Sequence, residues 1–591
     1  MIFKLKNNNN IFRILQELNE ILPISLKKQV IWVYLLIVIN SFLDLLGLAA
    51  LLPVFIVLLS DDILNVHPII SQVYSLFNFS SLDLFIIFIA SLLLFIVITK
   101  NIVSIVISKR IGIFSFEIHK YLAKKVLDTV LKKGHLYISS HNSNDLLNNI
   151  ISIPKMFAKG YIFPFLTLLN ELTILLVIIT TLFFYNFNIV IIIAVVIFPT
   201  FIIFYNLIKR KISKIGQEIN DLSPQMGRPV FDVIFGHTEA IISGTEKKFV
   251  SKFNSKVKRS AELSVTNSVL TYIPPKLIEV VIIMTLMIIV IYGLKFMDSK
   301  ESLIQLLGVF GIAAYRMIPT INRIMGSIMS MKANVFCLER LKIVKEEQNT
   351  VKHEKIEFKE SLELKNISFS YMKGEPILNK INLTIRKGDK IGFIGKSGSG
   401  KTTLINLILR FLTETEGEIT IDGIKITENN KKSWQQKIGY VKQDVYLRDA
   451  SFAENIAFGL EKEDINVHLL NEVIQKASLT DLVNNLENGV DSRIGERGSQ
   501  LSGGQRQRIG IARALYFGAE ILVFDEATSA LDQDTELEIT NSIHSLNKSE
   551  LTVLIIAHRH SSLSPCDKII ELNQGQIENE FSYEELISKV G

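Results

Sequence analysis

The sequence predicts two parts of different fold class: an all-α transmembrane domain of six helices, followed by an α/β domain built around a phosphate-binding loop. Apolar residues make up 48% of the 591 residues, with a mean hydropathy of +0.33, and they are concentrated in long runs before residue 332. Beyond residue 362 the sequence changes to short strand-like runs separated by glycine-containing turns. A chain of this length also exceeds what one hydrophobic core supports.

The apolar runs define the first part. Six of them are long enough to cross the roughly 30 Å hydrocarbon core of a bilayer; they are 30–59, 84–108, 161–184, 189–208, 273–294 and 303–330. The segments 109–159 and 209–271 are rich in lysine and arginine, which places them in the cytoplasm. The predicted domains are an N-terminal amphipathic lead-in, a transmembrane domain, a charged linker and the α/β domain, at 1–29, 30–332, 333–361 and 362–591.

Composition excludes several classes of function. The net charge of +6 is modest, and no array of basic and aromatic residues predicts a nucleic-acid partner. Cys337 and Cys566 are far apart in sequence, so neither a disulfide nor a metal site is expected. The polar N-terminus lacks a cleavable signal, and the first apolar run is the predicted membrane-targeting element.

The phosphate-binding loop has the pattern G-x-x-x-x-G-K-T at Gly395–Thr402, between a strand-like and a helix-like run. Its glycines let backbone N–H groups converge on phosphate oxygens, and the following helix contributes its positive end. Lys401 is expected to reach the β- and γ-phosphates, and the Thr402 hydroxyl to bind Mg²⁺. The residues predicted to hold ATP here are Gly395, Lys396, Ser397, Gly398, Ser399, Gly400, Lys401, Thr402 and Thr403.

Acidic residues follow a buried strand-like run. Asp525 ends the run and is placed as an Mg²⁺ ligand opposite Thr402, while Glu526 beside it can polarise an attacking water. Alternatively, the two carboxylates cap a turn. His558 follows another buried run and either senses a γ-phosphate or is structural.

A second anion-binding helix start is predicted at Leu501–Gln505, where Ser502, Gly503, Gly504 and Gln505 precede a helix-like run. An ordinary capped turn is the alternative. Tyr371 ends an alternating strand and can stack on a base, and Gln443 follows a short strand.

In this order and spacing, residues 362–585 strongly resemble the nucleotide-binding domain of ABC transporters. The resemblance implies binding of ATP and Mg²⁺, with Glu526 as catalytic base, His558 as the switch histidine and Gln443 in the loop that reaches the metal. It assigns Tyr371 to base stacking and Asp532 to the D-loop. It also implies that Ser502 faces the phosphate loop of a second subunit.

One such domain with six spans resembles half of a transporter, which implies a homodimer in a bacterial-type inner membrane with cytoplasmic nucleotide-binding domains. On this interpretation the two long cytoplasmic segments are coupling loops. Their tips are predicted at 137–145 and 228–237. ATP then closes the nucleotide-binding domains and drives alternating access.

Ionisable residues inside the spans predict the substrate site. Arg316, Thr320 and Arg323 share one helical face, and Lys100 and Lys276 lie in other spans. A cationic cavity made by Lys100, Lys276, Arg316 and Arg323 is predicted to receive an anionic head group. The acids Asp44, Glu171 and Glu279 either contact substrate or pair with basic residues as structural locks.

The segments 41–53, 68–77, 275–279 and 315–324 resemble the membrane domain of PglK-type flippases. This resemblance implies transfer of a lipid-linked oligosaccharide, an anionic glycolipid, from the inner to the outer leaflet. Arg316 matches a position that serves the pyrophosphate, whereas Lys276 departs from the expected arginine.

Two other functions stay open at this point. The first is export of peptides or amphipathic drugs by the same machinery. The second is an ATP-gated regulatory or channel-like protein, although the intact Glu526 argues against a regulator that does not hydrolyse ATP.

Overall fold

The computed structural model divides the chain into two compact units, residues 1–348 and 349–591. The residues it describes are 22–49, 72, 74–77, 79, 81–296, 300–345, 354–371, 374, 376–525, 551–557 and 559–590. The predicted amphipathic lead-in, most of the outer segment 68–77 and part of the linker lie outside these residues. The predicted domain boundaries therefore stay predictions.

The first unit consists of long and short helices. They are α1 Ile24–Ala49, α2 Leu82–Lys132, α3 Gly134–Ser140, α4 Ser143–Leu147, α5 Ile153–Phe157, α6 Phe163–Tyr185, α7 Phe187–Phe235, α8 His237–Ile242, α9 Glu246–Phe296, α10 Lys300–Ala333 and α11 Phe336–Arg340. Two π-helical turns, Asn148–Ser152 and Ala158–Ile162, link α4, α5 and α6 into one rod.

Five of the described helical segments are long and apolar enough to cross a membrane: 24–43, 83–132, 143–185, 187–235 and 246–296. The sixth predicted span lies in α10, which carries Arg316 and Arg323 within its length. At 51 residues, α2 is about 77 Å long at 1.5 Å per residue, far more than a bilayer core requires. The membrane helices therefore extend well beyond the bilayer core.

Short helices occupy the turns between the long ones. α3 begins at Gly134 and overlaps only the start of the predicted tip 137–145. Most of the predicted tip 228–237 still belongs to α7, which ends at Phe235, and α8 begins at His237. Their role in coupling stays a prediction.

The second unit is α/β. Its strands are β1 Ser361–Phe369, β2 Leu378–Arg386, β3 Lys390–Ile394, β4 Glu416–Ile421, β5 Ile424–Lys425, β6 Ile438–Lys442, β7 Ile521–Asp525, β8 Thr552–Ile556, β9 Lys568–Asn573 and β10 Gln576–Phe581. Its helices are α12 Lys401–Ile408, α13 Lys431–Gln435, α14 Phe452–Ile456, α15 Val467–Lys476, α16 Thr480–Asn484, α17 Gly503–Tyr516 and α18 Tyr583–Val590.

The strands form two sheets. An antiparallel sheet has the order β2-β1-β4-β5, and a six-stranded sheet has the order β10-β9-β3-β8-β7-β6. In the larger sheet β9, β3, β8, β7 and β6 are parallel. The central strands β3, β8 and β7 are short apolar runs that are almost wholly buried. Their carboxyl ends therefore meet at one edge, where ligands bind in parallel sheets.

Candidate ATP site and membrane cavity

The order of the parallel strands brings predicted nucleotide-site residues to one edge of the six-stranded sheet. The phosphate loop follows β3, Asp525 is the last residue of β7, and Gln443 follows β6. Lys442 at the end of β6 is paired in register with Asp525, so Gln443 starts its loop beside the Asp525 carboxylate. Glu526, Asp532 and His558 lie outside the described residues, although β8 ends at Ile556, two residues before His558.

The phosphate loop depends on glycine at two positions. Gly395 has φ +140°, and a Cβ there would lie 2.2 Å from the Leu572 carbonyl oxygen. Gly400 has φ +102° and is the N-cap of α12, where no side chain caps the helix. The backbone N–H groups at the start of α12 are thus open to a phosphate, and the helix dipole favours its negative charge.

Lys401 is folded back onto the loop. Its Nζ donates to the carbonyl oxygens of Gly395 at 2.8 Å and Lys396 at 3.2 Å, and the residue is 6% exposed. A cavity of about 290 Å³ lies beside it, lined by Ile377 and residues 397–403. Thr402 is exposed on this cavity. The loop thus places an ammonium group and a hydroxyl group where phosphate oxygens and a divalent cation are expected.

Tyr440, which no sequence motif identified, contacts Asp525, the acidic residue of the site. It lies on β6, and its hydroxyl donates to Asp525 Oδ2 at 2.6 Å. Burial and the neighbouring carboxylate raise the pKa of Tyr440, so the phenol stays protonated and acts as a donor. The pairing of β6 with β7 creates this contact, and no sequence motif signals it.

Oxygen donors at this edge suit Mg²⁺. Thr402 offers a hydroxyl, Asp525 a carboxylate and Gln443 an amide, which are the hard oxygen ligands that Mg²⁺ prefers. Among the described residues no cluster of three or more His, Cys, Asp or Glu residues forms a separate metal site. Thr402, Asp525 and Gln443 would hold Mg²⁺ next to the nucleotide phosphates.

The second predicted anion-binding site is a well-formed helix start. Ser502 is the N-cap of α17, and its Oγ accepts a hydrogen bond from the Gln505 backbone N–H at 3.2 Å. Gln505 Oε1 in turn accepts from the Ser502 N–H at 2.9 Å. This capping box agrees with the simpler alternative, a capped turn, and also leaves the hydroxyl exposed. Ser502 does not line the phosphate-loop cavity of its own chain.

Tyr371 follows β1 and is 52% exposed. Its ring packs edge-on against Phe369, with centroids 5.0 Å apart. This contact leaves one side of the phenol ring available for stacking on a base. Tyr371 also lies outside the lining of the phosphate-loop cavity.

The first unit contains a polar cavity of about 400 Å³ between α1, α2, α6 and α10. Three of the four basic residues predicted to bind substrate line it: Lys100, Arg316 and Arg323. Asparagine and serine side chains complete the polar lining, among them Asn40, Asn101, Asn170, Ser104 and Ser108. Arg316 and Arg323 thus share one face of α10, as their spacing predicted.

Lys276 is not part of this group. Its Nζ lies 3.1 Å from Glu279 Oε1 on the same helix, with both side chains about half exposed. It does not line the cavity that holds Arg316. The prediction that Lys276 joins the cationic cavity is therefore not supported by the packing of the single chain, because α9 presents this pair elsewhere.

Glu171 forms a buried contact in the cavity wall. Its Oε1 lies 2.9 Å from Arg323 Nε and accepts from Asn170 Nδ2 at 3.3 Å. Asn170 Oδ1 accepts from Asn40 Nδ2 at 3.1 Å, which extends the network to α1. The carboxylate is 4% exposed while the arginine is 46% exposed towards the cavity. Two of the three acids therefore pair with basic residues; the side chain of Asp44 lies outside the described residues.

Both units are similar to parts of known proteins. Residues 378–529 match the ABC transporter family model. The ATP-dependent lipid A-core flippase of Ralstonia nicotianae is 28% identical over 476 residues, 80% of each chain. The flippase of the same name from Syntrophus aciditrophicus is 44% identical over 236 residues, 39% of this chain and 38% of that one.

The structure of a bacterial Atm1-family ABC exporter with ATP bound has the same fold, with a TM-score of 0.79 over 96% of this chain and 97% of that chain, at 20% identity. The predicted fold class is thus confirmed: a helical transmembrane domain followed by an α/β ABC nucleotide-binding domain. The second unit is an ABC transporter ATPase domain that binds and hydrolyses ATP. The chain thus resembles one half of an ABC exporter, a multi-pass membrane protein with a cytoplasmic nucleotide-binding domain.

Proposed function

We propose that this exporter is a homodimeric flippase that moves an anionic glycolipid, such as a lipid-linked oligosaccharide on a polyprenyl pyrophosphate, from the inner to the outer leaflet. The observation that carries the proposal is the polar cavity in the membrane unit. Lys100, Arg316 and Arg323 come from two different helices and converge on it. Cations are costly inside a bilayer, and three that face one cavity indicate an anionic ligand.

The chemistry of the lining fits a phosphorylated head group. Guanidinium groups bind phosphate oxygens through two parallel N–H donors, and the asparagine and serine side chains offer further hydrogen bonds. A volume of about 400 Å³ lies within the usual range for sites that bind small ligands. The cavity therefore accommodates the charged head group, while an acyl or prenyl tail would stay in the lipid.

The buried Glu171 affects how tightly the cavity binds an anionic head group. It forms an ion pair with Arg323 Nε and leaves that side chain 46% exposed. An anionic head group thus meets Arg323 already oriented by its ion pair. Glu171 thus acts as a structural lock, one of the two alternatives for the intramembrane acids, while its partner Arg323 is the proposed substrate contact.

The comparisons support a lipid cargo rather than a peptide. The relatives from Ralstonia nicotianae and Syntrophus aciditrophicus are named lipid A-core flippases. A cavity with three basic side chains also favours an anionic lipid over the mostly cationic or neutral amphipathic drugs. The narrower resemblance to PglK-type proteins rests on the segments 41–53, 68–77, 275–279 and 315–324, the last of which contains Arg316.

ATP supplies the energy at the phosphate loop. On ATP binding, Lys401 would exchange its loop carbonyl contacts for phosphate oxygens. Thr402, Asp525 and Gln443 would hold Mg²⁺, which would supply positive charge beside the phosphates. Glu526 orients the attacking water and His558 contacts the γ-phosphate. Ser502 of a second subunit completes the site, so that ATP binding joins the two nucleotide-binding domains and shifts the membrane domains between inward-open and outward-open states.

Reconstitution in liposomes tests the proposal. Purified protein is supplied with a labelled polyprenyl-pyrophosphate glycan, a labelled peptide or an amphipathic dye, and ATP-dependent translocation is measured for each. Only the glycolipid is expected to move. Translocation of the peptide or dye without the glycolipid would reject a glycolipid cargo.

Arg316→Ala tests the cavity directly. Loss of one charged hydrogen-bonding partner weakens glycolipid transfer by about tenfold or more, because such contacts contribute about 1.5–3 kcal/mol, while basal ATPase is largely kept. Arg259→Ala is the matched control, since Arg259 forms an exposed ion pair with Glu218 far from the cavity lining. Unchanged transfer in Arg316→Ala would contradict the role of the cavity.

A further inference from the structure

The hairpin turn between β9 and β10 has a backbone conformation that favours glycine. Gln574 and Gly575 are its two residues. Both have positive φ, +44° at Gln574 and +76° at Gly575, as in a type I′ turn. A similar turn, Asp422–Gly423, joins β4 and β5 with φ of +48° and +80°. The two turns differ in what surrounds their glycines.

Gly575 lies against a neighbouring backbone, whereas Gly423 faces open space. A Cβ at Gly575 would lie 2.1 Å from the Ile377 carbonyl oxygen, while a Cβ at Gly423 would have nothing within 4 Å. Gly400 of the phosphate loop is close to the same segment, since a Cβ there would lie 3.3 Å from the Ile377 carbonyl oxygen and 2.7 Å from Leu378 Cδ2. The segment Ile377–Leu378 therefore packs against two glycines, one in the phosphate loop and one in the turn.

Backbone hydrogen bonds join the turn to the same two parts of the domain. The Gly575 N–H donates to the Ser399 carbonyl oxygen, in the phosphate loop, at 3.1 Å. The Gly575 carbonyl oxygen accepts from the N–H of Asn379, in β2, at 2.9 Å. Ser399 and Ile377 both line the phosphate-loop cavity. Gly575 thus links two parts of the cavity lining to each other.

The position of Ile377 also affects Tyr371. The Ile377 N–H donates to the Phe369 carbonyl oxygen at 2.8 Å, and Leu378 is paired with Phe369 in the sheet. Phe369 ends β1, and the centroid of its ring lies 5.0 Å from that of Tyr371. A displacement of Ile377 is therefore expected to move the end of β1 and, with it, Tyr371.

We propose that Gly575 is a positioning residue for ATP, which sets the distance between the phosphate loop and Tyr371. A nucleotide has fixed dimensions, so its triphosphate and its base are held together only when the two contact sites are correctly spaced. The phosphate loop has internal contacts of its own, among them the hydrogen bond from the Ser399 N–H to the Lys396 carbonyl oxygen at 3.1 Å. The proposal rests on the predicted stacking of the base on Tyr371, which is tested separately below.

Equilibrium binding of a labelled, non-hydrolysable ATP analogue to the full-length, detergent-solubilised protein tests the role of Gly575. Competition with inorganic tripolyphosphate measures the phosphate contacts alone. Gly575→Ala is expected to weaken binding of the analogue about tenfold, as loss of stacking on an aromatic ring does, and binding of tripolyphosphate less than about twofold. Gly575→Asn, which accepts a positive φ better than alanine but carries the same Cβ, should have the same effect.

Gly423→Ala is the matched control, because it introduces the same strain at a positive φ without a neighbouring backbone. It should bind the analogue as tightly as the unaltered protein does. An equal loss in Gly423→Ala would assign the effect to general strain in the domain and overturn the proposal. Unchanged analogue binding in Gly575→Ala, or equal weakening of analogue and tripolyphosphate binding, would also overturn it.

Tyr371→Ala tests the base contact separately. Alone, this substitution should weaken binding of the analogue about tenfold. Gly575→Ala should then add less than about twofold, because the stacking contact is already lost and the two effects are coupled. Additive losses would show that Gly575 does not act through Tyr371 and would overturn the proposal. Unchanged binding in Tyr371→Ala would reject base stacking itself, and the spacing role of Gly575 with it.

Discussion

Tyr440 shows how one side chain supports a metal ligand. Its hydroxyl donates to Asp525 Oδ2 at 2.6 Å, and the other carboxylate oxygen would be available to the proposed cation. Because burial and the carboxylate raise the pKa of Tyr440, the phenol keeps this hydrogen bond throughout the neutral range. Groups that orient a ligand from behind contribute strongly to metal affinity.

Tyr440→Phe removes this hydrogen bond and little else. The Mg²⁺ concentration needed for half-maximal ATP hydrolysis is expected to rise about tenfold, with a smaller change in the rate at saturating Mg²⁺. Tyr583→Phe, in α18, is the control for loss of a phenol hydroxyl. The same Mg²⁺ dependence in Tyr440→Phe and the unaltered protein would show that Asp525 needs no such support.

Glu526 is assigned from sequence, since it lies directly after Asp525 and outside the described residues. Glu526→Gln keeps the shape of the side chain but removes the base. ATP hydrolysis is expected to fall by about 10²-fold or more, while ATP binding is retained. Equilibrium binding of a labelled ATP together with phosphate release measures both properties. Normal turnover would exclude Glu526 as the base.

At the scale of elements, helix crossings depend on where small residues lie. Gly216 permits α7 to touch the backbone of α10 at Ala333, whereas Gly112 of α2 faces open space, with nothing within 4 Å of an added Cβ. Two glycines on long helices of the same unit thus have different roles. Only the first is required by packing.

Alanine at these two positions should have opposite effects. Gly216→Ala forces α7 and α10 apart and is expected to destabilise the membrane unit by about 1–3 kcal/mol. Gly112→Ala should stabilise it by up to about 1 kcal/mol, because alanine is the better helix former. Thermal unfolding in detergent compares the two. A Gly216→Ala variant as stable as Gly112→Ala would show that the helices do not cross this closely.

At the scale of the whole molecule, the proposed homodimer shares its ATP sites. The phosphate loop and Ser502 of one chain belong to different sites on this proposal, and Ser502 is indeed absent from the lining of its own phosphate-loop cavity. Each site then needs two chains. This arrangement predicts how ATPase activity changes when two substitutions lie in the same chain or in different chains.

A tandem fusion of two copies tests the shared sites. With Lys401→Ala in one copy and Ser502→Ala in the other, one complete site remains, and ATPase activity well above background is expected. With both substitutions in the same copy, both sites are damaged and activity is expected to be lost. The reverse pattern would show that each chain completes its own site, and equal activity of the two fusions would reject shared sites.

The sequence alone determined the parts of this protein whose chemistry is local. The phosphate loop could be predicted because its glycines, Lys401 and Thr402 act within one turn between a strand and a helix. The long apolar runs likewise predicted the membrane helices, since length and hydropathy suffice for that. The spacing of Arg316 and Arg323 placed both on one helical face.

Tertiary structure decided which helix faces and which strands lie against each other. Helical spacing could not show that Lys100 joins Arg316 and Arg323 around a cavity while Lys276 pairs with Glu279 outside it. The strand register that puts Tyr440 against Asp525, and the crossing that puts Gly216 against Ala333, likewise follow from contacts between residues far apart in sequence. Such contacts depend on the packing of whole elements, which no single segment of the chain encodes.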